Sequence, residues 1–192
     1  MKVIAFNGSP HINGNTERLL KVVLNELNKS GIETKILQVG TKHLHGCIGC
    51  LKCAENKNKK CILEKDEVNA YIEEMLSADG IIFGSPVYCS GMTSQLKALI
   101  DRSSLVAKMN DDMLKGKIGA SVVAVRRCGA SHTFSSINYF FLISQMIIPG
   151  SSYWNQGIGL EPGDVENDKE GIDTMINLGK NMAELLLKTR KI

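Results

Sequence analysis

Three stretches of this chain are apolar almost without a break: "KVIAF" at residues 2–6, "GIIFGSP" at 80–86 and "IGASVVAV" at 118–125. A strand with one face in water alternates apolar and polar residues, so an unbroken run is covered on both faces. Helical spacing separates these runs. Leu19, Leu20, Val23, Leu24 and Leu27 recur within residues 15–29, with Gly31 beyond as a stop, and Leu96, Leu99, Ile100 and Val106 within 93–108. Further helices are expected over 66–77, 134–146 and 166–188. "ETKILQV" (33–39) supplies a second strand in chain order, and "IIPGSSYW" (147–154) is expected to hold the fifth. Five strands alternating with helices predict an α/β fold, a doubly wound parallel sheet with right-handed crossovers and helices on both faces. The 192 residues suit one domain, 1–192, and contain no internal repeat or Pro-rich linker.

In such a sheet the loops leaving the strands gather at the carboxyl edge, where ligands bind at the switch in strand order. Three segments are expected there: "NGSPHINGNT" (7–16), the cysteine-rich segment 43–64, and "GSPVYCSGM" (84–92). In the first, a phosphate would meet backbone N–H groups, the positive end of a helix dipole and the hydroxyls of Ser9 and Thr16. No Lys follows Gly14, so the P-loop pattern fails, and the glycine spacing is not the dinucleotide fingerprint. What remains suits a phosphomonoester bound without metal. The competing reading is a polar turn with Asn15 or Thr16 as a helix cap. In the segment 84–92, Pro86 fixes the backbone, Tyr88 offers a flat face, and Gly91 lets a planar ligand approach the main chain.

Other classes are excluded by composition. A formal charge of +3 and 5% aromatic residues provide neither a strong basic field nor a stacking platform for nucleic acid. The N-terminal apolar run is too short for a signal peptide, and no stretch could span a bilayer, so a cytoplasmic location is expected. In a reducing compartment clustered cysteines bind metal or do redox chemistry more often than they form disulfides.

"CIGCLKCAENKNKKC" spaces Cys47, Cys50, Cys53 and Cys61 as Cys-x2-Cys-x2-Cys-x7-Cys. Two successive x2 steps curl the backbone around one face of a small cluster, and four thiolates are the usual ligands of a [4Fe–4S] centre. Structural zinc sites with four cysteines instead hold two CxxC pairs well apart. Zinc and bare redox thiols remain open alternatives. Lys52, Lys57, Lys59 and Lys60, preceded by His43 and His45, either form a basic rim that steers an acidic partner or are simply a solvated loop. Cys89 and Cys128 lie outside the motif.

Together, "GSPHINGNTERLL", "GSPVYCSGMTSQLKALIDR" and the cysteine segment between them resemble the flavodoxin-like NAD(P)H-dependent FMN reductase superfamily, and within it the iron–sulfur flavoproteins. The resemblance is good over residues 1–130 and general beyond. It implies a flavodoxin-like sheet of order 2-1-3-4-5 and FMN as cofactor. Ser9, His11, Asn13, Asn15 and Thr16 would surround the FMN phosphate. Pro86, Val87, Tyr88, Ser90 and Gly91 would line the isoalloxazine, with Arg126, Cys128 and Gly129 completing the ring pocket. His11 departs from the Arg or Lys that relatives often carry.

The resemblance further implies electron transfer between FMN and a [4Fe–4S] cluster, with ferredoxin or a similar carrier as partner. Quinone, flavin or oxygen species are possible small-molecule acceptors, and a homodimer or homotetramer is expected. Two other functions stay open: an NAD(P)H-dependent FMN or quinone reductase without a cluster, and a flavodoxin-like carrier or zinc-bearing binding module. Tyr153 and Trp154 are expected to pack in the core.

Overall fold

The computed structural model describes residues 1–189. The strands β1 (Lys2–Asn7), β2 (Glu33–Gln38), β3 (Gly80–Pro86), β4 (Ile118–Val125) and β5 (Gln156–Ile158) form one sheet in the order β2-β1-β3-β4-β5. Every neighbouring pair is parallel. The helices are α1 (Asn15–Lys29), α2 (Lys52–Asn56), α3 (Val68–Ser77), α4 (Ser94–Met109), α5 (Ala130–Ile143) and α6 (Lys169–Thr189), with a 3-10 turn at Asp164–Asn167 before α6. This is the flavodoxin-like order expected from the resemblance.

Residues of β1, β3 and β4 are buried on both faces, and their parity sorts them into two cores. Val3, Ala5, Ile82, Ala120 and Val122 face the layer formed by α1 and α6. Ile4, Phe6, Ile81, Phe83, Val123 and Val125 face α3, α4 and α5, where Phe83 stacks on Phe141 at a ring separation of 5.5 Å.

The fifth strand differs from expectation. Ile147 makes only an isolated parallel bridge to Ile118, and the strand proper, Gln156–Ile158, pairs with Val123–Val125 further on. Pro149 lacks an N–H and ends the first contact. A three-residue strand has no periodicity to betray it. Tyr153 and Trp154, just before it, are half exposed rather than in the core. Helix α5 begins at Ala130, four residues before the apolar repeat shows, because Gly129 at φ +89° turns the chain directly into it. It ends at Ile143, where Gln145 takes a positive φ.

Candidate functional site

At the carboxyl edge the exits of β1, β3, β4 and β5 enclose a cavity of about 450 Å³. Its floor is the start of α1. Gly14 occupies the N-cap position and provides no side chain to satisfy the first-turn N–H groups. That leaves these donors and the helix dipole facing the cavity, the usual arrangement for an anion. Ser9, His11, Gly14, Asn15 and Thr16 line this end.

The loop is held in shape from behind. Asn7 accepts from the Ser9 N–H at 3.1 Å, and Ser9 Oγ accepts from the His11 N–H at 3.1 Å. Thr93 Oγ1 donates to the Gly8 carbonyl at 2.7 Å. Where β2 leaves the sheet, Gly40 lies so close that a Cβ there would fall 2.2 Å from the Ser9 carbonyl carbon and oxygen. No other residue fits.

Glu17, in the first turn of α1, accepts the Asn13 N–H at 2.7 Å and pairs with Lys21 at 2.6 Å. Burial pushes its carboxyl up, but the hydrogen bonds from Lys21 and the Asn13 N–H outweigh that and hold its pKa below the usual value. Lys21 offsets the charge that would otherwise repel an anion here.

Pro86, Val87 and Tyr88 form the opposite wall, and Arg126 is the cation with a permanent charge among the lining residues. Of the residues expected to hold FMN, Asn13, Ser90, Gly91, Cys128 and Gly129 do not line the cavity. Asn13 shapes the loop with a left-handed backbone, its carbonyl accepting from Arg18 Nε at 3.1 Å. Tyr88 and Gly91 exchange N–H to carbonyl bonds of 2.8 and 2.9 Å across a two-residue turn made by Cys89 and Ser90. Gly129 seats against that turn.

Ala124 and the segment Gly159, Leu160, Glu161 and Pro162 complete the cavity and were not foreseen. Asn15 carries the segment, donating to the Glu161 carbonyl at 3.0 Å and accepting from the Gly163 N–H at 2.8 Å. Asn15 therefore positions a wall as well as lining the floor. The readable signal was "GLEPGD", a Gly/Pro turn that follows β5 once that strand is placed at 156–158.

The cysteine segment leaves from the same edge but does not stay there. All four cysteines line a second, small cavity of about 20 Å³ together with Ile48, Leu51, Ile62, Leu63 and, from α4, Arg102, Leu105 and Val106. Arg102 lies eight residues into α4, so at 1.5 Å per residue the cysteines sit roughly 12–18 Å down that helix from the edge. The two cavities share no lining residue. The expectation that the cysteines lie on the carboxyl edge is corrected accordingly.

Side chains from α3 and α4 tie the segment down. Asn69 brackets Cys61, accepting from its N–H and donating to its carbonyl, both at 2.8 Å. Asn110 donates to the Cys53 carbonyl at 3.2 Å and accepts from the Lys59 N–H at 2.9 Å. Arg102, fully buried, donates through Nε to Cys61 Sγ at 3.3 Å, to the carbonyls of His45 and Leu63, and to Asp66. Burial pushes the Asp66 carboxyl up, yet the bonds from Arg102 and from the N–H groups of His45 and Val68 outweigh it and lower its pKa. Arg102 is the residue that sequence reading missed. It stands between Leu99 and Val106 in the inward stripe of α4, where a charge signals a buried partner.

Cys53 is buried, Cys61 partly so, and Cys47 and Cys50 are exposed. Among the described residues no group of three or more His, Cys, Asp or Glu is gathered tightly enough for a single metal ion. Ligands of a cuboidal cluster surround a four-iron body and stand wider apart than ligands of one ion. By chemistry the donor set suits such a cluster: four thiols, apolar walls, the Arg102 N–H on Cys61 sulfur, and the Gly49 N–H on Cys47 sulfur at 3.5 Å. Three of the four lysines in the segment are paired, Lys52 with Glu55, Lys57 with Asp111 and Lys60 with Glu73, so the basic rim is largely neutralised.

No helix among the described residues is long and apolar enough to cross a membrane. The family described as NADPH-dependent FMN reductase matches residues 1–160. The chain is 41% identical over 198 residues to an iron–sulfur flavoprotein of Methanocaldococcus jannaschii, covering 100% of both. It is 32% identical over 188 residues to an iron–sulfur flavoprotein of Methanosarcina thermophila, covering 97% of this chain and 95% of the relative. In three dimensions it is similar to a flavodoxin, a WrbA-like protein from Agrobacterium tumefaciens, with a TM-score of 0.66, 13% identity and 97% of each chain covered. The chain therefore belongs to the NADPH-dependent FMN reductase family, in its iron–sulfur flavoprotein branch.

Proposed function

We propose that this chain is an FMN-dependent oxidoreductase that passes electrons between FMN in the carboxyl-edge cavity and a [4Fe–4S] cluster ligated by Cys47, Cys50, Cys53 and Cys61. The observation that carries the reading is the convergence of all four cysteines on one apolar cavity, with the buried Arg102 N–H on Cys61 sulfur. When bound, FMN supplies two-electron chemistry that can be released singly, and the cluster supplies one-electron transfer. The protein's own part is binding and tuning. The α1 N-terminus with Ser9 and Thr16 holds the phosphate, and Pro86–Tyr88 with Leu160 flank the ring and exclude water. Arg102 and the Gly49 N–H offset thiolate charge around the cluster.

The partner is a carrier of the ferredoxin type, meeting the chain at the cysteine segment. Supporting this, Cys47 and Cys50 are exposed and Ile48, Leu51 and Ile62 beside them are about half exposed, so a partner can approach the sulfurs closely. The lysines there add little net steering.

Self-association is the second part of the reading. Residues 128–160 contain no Lys, Arg, Asp or Glu, yet Tyr139, Leu142, Ile143 and Trp154 within them are more than half exposed. A neutral, apolar surface of this kind suits a second copy of the chain. It also offers a route for electrons between subunits, since within one chain the two cavities share no lining residue.

The test is Cys50→Ala, analysed anaerobically for iron and flavin. Iron should be lost while FMN stays bound. Unchanged iron would sink the ligand assignment, and zinc at one per chain in the parent protein would sink the cluster.

A further inference from the structure

Six cysteines are present, two of them outside the motif. Cys89 forms the tip of the two-residue turn between Tyr88 and Gly91, and Cys128 lies in the loop from β4 to α5. Those loops touch. A Cβ on Gly129 would stand 3.0 Å from the Cα and Oγ of Ser90, so residues next to each cysteine are in van der Waals contact. With consecutive α-carbons about 3.8 Å apart, the two cysteine α-carbons lie within about 12 Å of each other. Both cysteines are exposed, unlike most free cysteines.

Backbone conformation supplies a second observation. Cys89 and Ser90 both take left-handed conformations, φ +47° and +58°, which two-residue hairpin turns normally give to Asn and Gly. Cys89 is one of several non-glycine residues with a positive φ, and in this turn it stands where a smaller residue is the usual choice. Arg126 and Arg127, both exposed, precede Cys128 and make the surroundings cationic.

We propose that Cys89 and Cys128 form a reversible dithiol–disulfide pair beside the carboxyl-edge cavity, exchanging with small anionic disulfides. One cysteine, as thiolate, attacks the small disulfide, whose S–S bond breaks as a mixed disulfide forms and the first small thiol leaves. The second cysteine attacks that mixed disulfide, closing Cys89–Cys128 and releasing the second small thiol. Two electrons pass from the cysteines to the small disulfide, and the two cysteine protons end on the released thiols. Closure needs the α-carbons within about 4.4–6.8 Å, a range that lies inside the bound set by their contacting neighbours. The bond staples the loop after β3 to the loop after β4. This pair stands on its own geometry, whatever the cavity binds.

The experiment equilibrates the full-length protein anaerobically in mixtures of reduced and oxidised glutathione, quenches with iodoacetamide, and maps peptides by mass spectrometry. A Cys89–Cys128 linked peptide should appear as the mixture becomes oxidising. In Cys128→Ser, Cys89 should instead retain a glutathione adduct, and in Cys89→Ser, Cys128 should. Wild-type protein that keeps both thiols free throughout, or that carries glutathione on each without a link, overturns the pair. Oxidised glutathione should react several-fold faster than cystamine, a cationic disulfide. Equal rates overturn the anionic substrate class.

Discussion

Arg102 shows how much one side chain can organise. Its guanidinium ties together the two ends of the cysteine segment, at His45 and at Leu63 and Asp66, and touches a candidate ligand sulfur. Arg102→Ala would leave Asp66 largely buried without its cation, a change that costs about 3–5 kcal/mol. Urea denaturation should show that loss, and iron content should fall with it. Arg102→Lys should rescue only part of the effect, because an ammonium lacks the planar fork that serves four partners at once. The pair also carries a pH dependence. The Asp66 pKa is lowered in the folded state, so its contribution is fully present above the ordinary carboxylate pKa of about 3.9 and lost as pH falls through the lower folded value. The melting-temperature gap between the wild type and Asp66→Asn should therefore hold from neutral pH to about 4 and shrink below it.

Helices and strands position the cavity, and two contacts between elements test that arrangement. At Gly40, the exit of β2 presses on the loop after β1. Gly40→Ala forces backbone apart and should cost about 1–3 kcal/mol, with weaker FMN retention measured by fluorescence. Asn15 joins α1 to the segment after β5, and Asn15→Ala removes two hydrogen bonds, about 1 kcal/mol each. A several-fold rise in the FMN dissociation constant should follow.

Both contacts also show where sequence reading reached and where it stopped. β1, β3 and β4 were legible to the residue or nearly so because burial on both faces leaves an unbroken apolar run. β5 was not, since "QGI" is too short for any period and the apolar "II" before Pro149 imitates a strand. Misplacing β5 hid the segment 159–162, four of the fourteen residues that line the cavity, and of the rest only Ala124 went unforeseen. The four cysteines were legible as a group from spacing alone. Their descent along α4 was not, because long-range side-chain anchors such as Arg102 and Asn110 leave no local pattern.

At the scale of the molecule, the carboxyl-edge cavity and the cysteine cavity share no lining residue, and a charge-free surface runs over α5 and the approach to β5. Helix α5 contains no Lys, Arg, Asp or Glu and exposes Tyr139, Leu142 and Ile143. Leu142→Glu should shift the proposed self-association toward monomer in sedimentation or light scattering while leaving the fold and bound flavin intact, since that side chain contacts neither core. The central claim is that both redox groups reside in the same polypeptide. It is tested most directly by an anaerobic absorbance spectrum combined with iron, sulfide, zinc and flavin determination on the purified chain. The account predicts one FMN with about four irons and four sulfides per chain. Flavin with no iron, or zinc in place of iron, would contradict it.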